Sequence, residues 1–227
     1  MDYQTSIGRR ATLNHVAALI PRADQLDRNI LVGIDGVDGS GKTVFADELA
    51  LVVARLQPAV RISIDGFHQR RADRYRRGRN SPEGFYVDSY DYRAFDRHVV
   101  GPVRAGAGPY LAASHDLDTD ESLEGPLHYL ARPSAVIVDG IFLHRPELRH
   151  VWDFSVFLRV SFTVSVARMA ERDGSDPDPD AVSNERYVGG QQIYLRENSP
   201  ETHATVIVDN NEILDPRLEI TRQNGVR

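Results

Sequence analysis

The amino-acid sequence predicts an α/β fold with a doubly wound parallel sheet. Two observations carry that expectation. Short apolar runs bounded by turn residues alternate along the chain with stretches of helical periodicity. Between the first apolar run and the helix after it lies a glycine-rich octapeptide, GVDGSGKT at 36–43. The 227 residues suit one domain, 1–227, with an N-terminal helical extension (1–28) and a lid region over about 163–197.

The elements follow in order. Residues 12–20 read as a helix that Pro21 ends, and 29–35 (NILVGID) as a buried strand. The glycine-rich loop leads into a helix over 42–56, and 60–65 (VRISID) is a second strand, which closes a βαβ unit. Residues 66–90 carry Gly, Ser, Pro and six arginines and read as a mobile, solvent-facing loop. A helix is expected over 92–103, then an irregular stretch with a short hairpin over 106–124. Strands follow at 134–139 (SAVIVD) and 154–160, helices at 163–172 and 183–197, and a last strand at 204–208. The segment 173–180 (DGSDPDPD) between the two helices is rich in breakers.

Composition narrows the chemistry. There is no cysteine, which excludes disulfides, thiolate catalysis and cysteine-ligated zinc. A net charge of −6 argues against a general affinity for nucleic acid, and no apolar stretch suggests a membrane partner. With no signal peptide visible either, a cytoplasmic location is the default expectation. Of the 27 Lys and Arg residues only Lys42 is lysine, and it falls in the glycine-rich loop, where a compact ammonium differs from a planar guanidinium.

The octapeptide matches G-x-x-x-x-G-K-[ST], with a strand before it and a helix after it. Gly36, Val37, Asp38, Gly39, Ser40, Gly41, Lys42 and Thr43 are therefore the expected phosphate cradle of a three-layer P-loop NTPase-type sandwich. Backbone N–H groups and the helix start favour anionic phosphates, Lys42 reaches the β- and γ-phosphates of ATP, and Thr43 ligates Mg²⁺. Asp65 and Asp139 end strands, where an open α/β sheet gathers its ligands. Asp65 is the expected proton acceptor and a metal ligand, and Asp139 a metal ligand. The Asn-Lys-x-Asp motif of guanine-selective switches needs a second lysine, and the chain has none. Gly189-Gly190-Gln191 is similar to a transporter-ATPase signature but lacks the preceding serine and follows the Asp139 strand, so it reads as coincidence.

GIDGVDGSGKT, IDGFH and VIVDGIFL together resemble the uridine kinase, phosphoribulokinase and bacterial pantothenate kinase group over roughly residues 30–210. Within that group the resemblance to uridine kinases implies further roles. Tyr110 and His115 match a Tyr-x-x-x-x-His segment that contacts the pyrimidine. Asp88 matches the first Asp of an Asp-x-x-Asp element that binds ribose. Arg168 and Arg172 match lid arginines that close over the triphosphate. Three positions depart from the uridine kinase pattern: Gly66-Phe67-His68 stands for Ser-Phe-Tyr, Asp139 for Glu, and Leu117 for an Arg. His68 is a further candidate for holding the acceptor. The implied activity is ATP-dependent phosphorylation of a primary hydroxyl, foremost the 5′-OH of uridine or cytidine. Pantothenate, a sugar or another nucleoside is the alternative acceptor, and a nucleotide-dependent regulator or ATPase without an acceptor is the different class. Assembly into a homo-oligomer stays open.

Overall fold

The computed structural model describes residues 6–106, 108–130 and 133–220, so residues 1–5 of the expected N-terminal extension and Ala107 of the expected hairpin stretch lie outside it. β1 (Ile30–Gly36) is buried along its whole length, as expected of a strand covered on both faces. Its side chains alternate. Ile30, Val32 and Ile34 join one core with Phe45 and Leu49, and Leu31 joins the other with Val136, Phe142 and Tyr194.

β2 (Ala59–Ser63), β3 (Ala135–Asp139), β4 (Phe154–Arg159), β5 (Val206–Asp209) and β6 (Arg217–Ile220) complete a sheet of order β2-β3-β1-β4-β5-β6. β1 pairs in parallel with β3 on one side and β4 on the other. The strand order therefore reverses at β1, and a crevice opens at its carboxyl end, where the glycine-rich loop begins.

The principal helices are α1 (Ile7–Leu19), α2 (Lys42–Val53), α3 (Pro82–Asp88), α4 (Phe162–Asp173) and α5 (Glu185–Asn198). α1 begins five residues before the expected helix, because the Ser6 side chain caps it by accepting the Arg9 N–H at 3.1 Å. The expected helix over 92–103 runs as Tyr92–Phe95, a π-type turn at Asp96–Val100, and Gly101–Ala105.

The sheet is mostly parallel, as expected, with one unpredicted addition: β6 pairs antiparallel with β5, and its alternation of Arg217, Leu218 and Glu219 is the pattern of a one-sided edge strand. Two expectations are corrected. Asp65 does not end β2. It sits two residues further on, in the 3₁₀ turn Ile64–Phe67. Residues 66–90 are not one solvent-facing loop: 70–73 and 76–80 are exposed, but α3 follows with Phe85, Tyr86 and Asp88 buried. The arginines there look solvated in sequence, yet Arg74 and Arg79 lie over the Tyr75 ring and Arg76 and Arg77 pair with Asp88.

Candidate active site

A cavity of about 600 Å³ lies at the carboxyl edge of the sheet. Asp38, Gly39, Gly41, Lys42, Thr43, Asp65, Asp139, Arg168 and Arg172 all line it. Sequence-distant candidates thus meet in one place, and the fold explains how. β1 delivers the loop, β3 ends at Asp139 beside it, and the turn after β2 carries Asp65.

Two glycines of the loop are required by shape. Gly39 has φ +73°, and a Cβ there would stand 2.2 Å from the Ser165 carbonyl oxygen. Gly41 caps α2 at φ +87°, a left-handed conformation that other residues adopt at a cost. Lys42 is buried and donates from Nζ to the Val37 carbonyl oxygen at 2.9 Å. Three side chains from three elements hold the loop backbone. Asp35 Oδ1 accepts the Gly36 N–H at 2.7 Å, Gln191 Oε1 accepts the Asp38 N–H at 2.6 Å, and Asn210 Nδ2 donates to the Ser40 carbonyl at 2.7 Å.

The Thr43 hydroxyl donates to Asp139 Oδ2 at 3.0 Å. Arg61 Nη2 lies 2.9 Å from Asp139 Oδ1, and its Nε lies 2.5 Å from Asp47 on α2. Burial raises the Asp139 carboxyl above the usual range, and the Arg61 guanidinium and Thr43 hydroxyl oppose that rise. Burial also raises Asp38, against the pull of the Lys42 ammonium. Thr43, Asp139 and Asp65 present hard oxygen donors, the set that suits Mg²⁺. Among the described residues no group of three or more His, Cys, Asp or Glu side chains forms a complete metal cage.

Asp65 is exposed to the cavity, and its Oδ1 accepts the Tyr90 hydroxyl at 2.8 Å. Burial, and next the Asp65 carboxylate, push the Tyr90 hydroxyl well above its ordinary value, so it remains a neutral donor. His68 Nδ1 lies 2.8 Å from the Asp65 carbonyl oxygen, and its ring lies 4.4 Å from that of Tyr90. Burial lowers the His68 pKa. On α4, Arg172 is exposed and pairs with Asp173 at 2.9 Å, whereas Arg168 donates to the carbonyls of Asn210 and Asn211 at 3.0 and 2.7 Å.

The remaining substrate candidates do not line this cavity. Asp88 is ion-paired with Arg76 and with Arg77 at 3.0 Å, in a separate hollow of about 300 Å³ beside Gln69 and Asp73. Tyr110 stacks on His128 at 5.3 Å, and His115 Nε2 lies 3.1 Å from Asp120. The segment 110–115 nevertheless lies against the Asp65 turn. His115 N–H donates to the Gly66 carbonyl at 3.2 Å, and a Cβ on Gly66 would strike Ala113 at 2.7 Å.

No family model matches the chain. Solved structures do. A possible uridine kinase from Bacillus stearothermophilus shares 22% identity over 88% of this chain and 96% of that one, with a TM-score of 0.65. A phosphoribulokinase from Rhodobacter spheroides shares 12% identity over 88% of this chain and 82% of that one, at 0.56. A candidate fructose transport system kinase from Silicibacter sp. TM1040 shares 25% identity over 79% and 92%, at 0.57. The chain has a uridine kinase-like P-loop kinase fold. In that P-loop kinase fold the phosphate loop stands at the strand reversal, and no helix among the described residues is long and apolar enough to cross a membrane.

Sequence reasoning missed several side chains that shape the site. Tyr90 stands inside the Asp-x-x-Asp element that begins at Asp88 but draws notice only once its hydroxyl meets Asp65. Asp35 is fully buried and receives His144 Nδ1 at 2.7 Å together with the Tyr194 hydroxyl. Arg9, from the N-terminal helix, lines the cavity and pairs with Glu48 at 2.6 Å. The only sequence signal for these was a polar residue within an apolar run, visible for Asp35 in NILVGID. Asn210, just after β5, also lines the cavity, and Asp209 does not.

Proposed function

We propose that the protein is an ATP-dependent phosphotransferase that phosphorylates a primary hydroxyl of a small metabolite, foremost the 5′-OH of uridine or cytidine. One observation carries the reading: Lys42, Thr43, Asp65, Asp139 and Arg172 share a single cavity at the sheet's carboxyl edge. Lys42 and the loop amides hold the β- and γ-phosphates. Thr43 and Asp139, with Asp65 beside them, hold Mg²⁺, which when bound neutralises charge between the phosphates. Asp65 accepts the proton of the attacking hydroxyl, and the Tyr90 hydroxyl fixes the orientation of its carboxylate. Arg172 neutralises charge on the transferred group as the segment around α4 closes, and Arg168 anchors that helix. The 110–115 segment, laid against Gly66, and Asp88 form the acceptor side, where His68 also stands.

An acceptor panel tests this by ADP release with uridine, cytidine, adenosine, pantothenate and fructose. The expected result is release that depends on uridine or cytidine and yields the 5′-monophosphate. Stimulation by another acceptor would keep the kinase and replace the substrate. ATP hydrolysis that no acceptor accelerates would replace the kinase by a nucleotide-dependent ATPase.

A further inference from the structure

Gly189-Gly190-Gln191 has no part in the scheme above, yet it reaches the phosphate loop. Cβ atoms added at Gly189 and Gly190 would stand 2.9 Å from Pro82 and 2.8 Å from Phe85, so the two glycines let α5 lie directly on α3. That approach brings Gln191, which is buried, onto Asp38. Both ends of its carboxamide are used. Oε1 accepts the Asp38 N–H at 2.6 Å, and Nε2 donates to Asp38 Oδ2 at 3.3 Å and to the Tyr187 carbonyl at 3.0 Å. The Asp38 N–H belongs to the same planar peptide as the Val37 carbonyl, the group that receives Lys42 Nζ at 2.9 Å. One turn further along α5, the Tyr194 hydroxyl donates to Asp35, whose other oxygen accepts the Gly36 N–H.

We propose that Gln191 is a positioning residue of the donor site: by fixing the Val37–Asp38 peptide it sets where Lys42 waits and how the loop amides face the triphosphate. Rotating that peptide would move the carbonyl that holds Lys42, and a freed loop would have to be ordered at the expense of ATP binding. The Asp38 carboxylate lines the cavity, and the Gln191 carboxamide holds it by donating to its Oδ2 at 3.3 Å. Lys42, Arg172, His68 and Asp65 are the charged or titratable groups that face it. The proposal rests on the donor-site reading above.

The test measures MgATP affinity by calorimetry without an acceptor, together with the melting temperature. Gln191→Leu keeps the bulk and removes both polar ends; it is expected to weaken MgATP about tenfold, the scale of one or two neutral hydrogen bonds, and to lower the melting temperature by about 2–8 °C. Gln191→Glu sets two carboxylates together and is expected to weaken binding at least as much. Adding Asp38→Asn to Gln191→Glu reverses the pair, with an amide now donating to a carboxylate, and is expected to restore affinity to within about threefold of wild type. Wild-type affinity in both single variants would overturn the proposal, and so would a double variant no better than Gln191→Glu. Should Gln191→Leu fail to fold, the comparison of Gln191→Glu with the double variant decides. If wild type binds no more MgATP than Lys42→Ala does, the donor-site reading itself falls, a different outcome from the failure of Gln191 alone.

Discussion

The cavity at the glycine-rich loop and the separate region of the proposed acceptor residues are held in different ways. At the glycine-rich loop, Asp35, Gln191 and Asn210 each grip a backbone group, and the first-turn N–H groups of α2 have no partner within the helix. Among the proposed acceptor residues the polar groups are engaged internally: Asp88 with Arg76 and Arg77, His115 with Asp120, Tyr110 with His128. On the proposed reading, ATP meets a cradle that is already formed, whereas the acceptor must displace internal partners. On that reading the donor end would depend on backbone shape, and the acceptor end on an exchange of side-chain partners.

The largest effect that would break or sharpen this contrast is at Asp65. Asp65→Asn is expected to lower kcat by about 10²–10⁴-fold while MgATP affinity holds, measured by steady-state turnover and calorimetry; near-normal turnover would remove the general-base role. Lys42→Ala is expected to cost about 10²–10³ in kcat and to weaken ATP binding as well, because it acts at the donor end. Asp139→Asn keeps a partner for the Thr43 hydroxyl but loses the charge; the Mg²⁺ concentration for half-maximal turnover is expected to rise about 10–100-fold.

Asp88→Asn probes the other end. It should raise the KM for uridine, leave the KM for ATP within about twofold, and cost about 1–3 kcal/mol in urea denaturation because two charged hydrogen bonds are weakened. A change confined to the ATP constant would contradict the division into two ends. The smallest effect concerns pH. Burial lowers the folded-state pKa of His68, so the unfolded chain binds its proton more readily. The stability this contributes is present above the unfolded value of about 6.5 and is lost as pH falls below it. His68→Gln should therefore show a smaller fall in melting temperature between pH 7 and pH 5.5 than wild type.

What was legible in the sequence follows the same division. The loop, β1 and the Asp139 strand are local features: an octapeptide with fixed spacing and unbroken apolar runs. Long-range pairing left weaker marks. Nothing near Arg76 or Arg77 in the sequence announces that they close on Asp88, and a run of arginines resembles a solvated loop until its partners are in place. Gln191 is the plainest instance. Its neighbours Gly189 and Gly190 stand out in the sequence, but their purpose depends on Pro82 and Phe85, about a hundred residues earlier. β6 was missed because an edge strand alternates polar and apolar residues over only four positions.

The most direct test of the central claim follows the γ-phosphate. With γ-labelled ATP and uridine, the wild-type protein is expected to place the label on the nucleoside 5′-oxygen, and Asp65→Asn to lose that transfer while still binding ATP. Label released only as inorganic phosphate, at the same rate with and without any hydroxyl acceptor, would contradict the account.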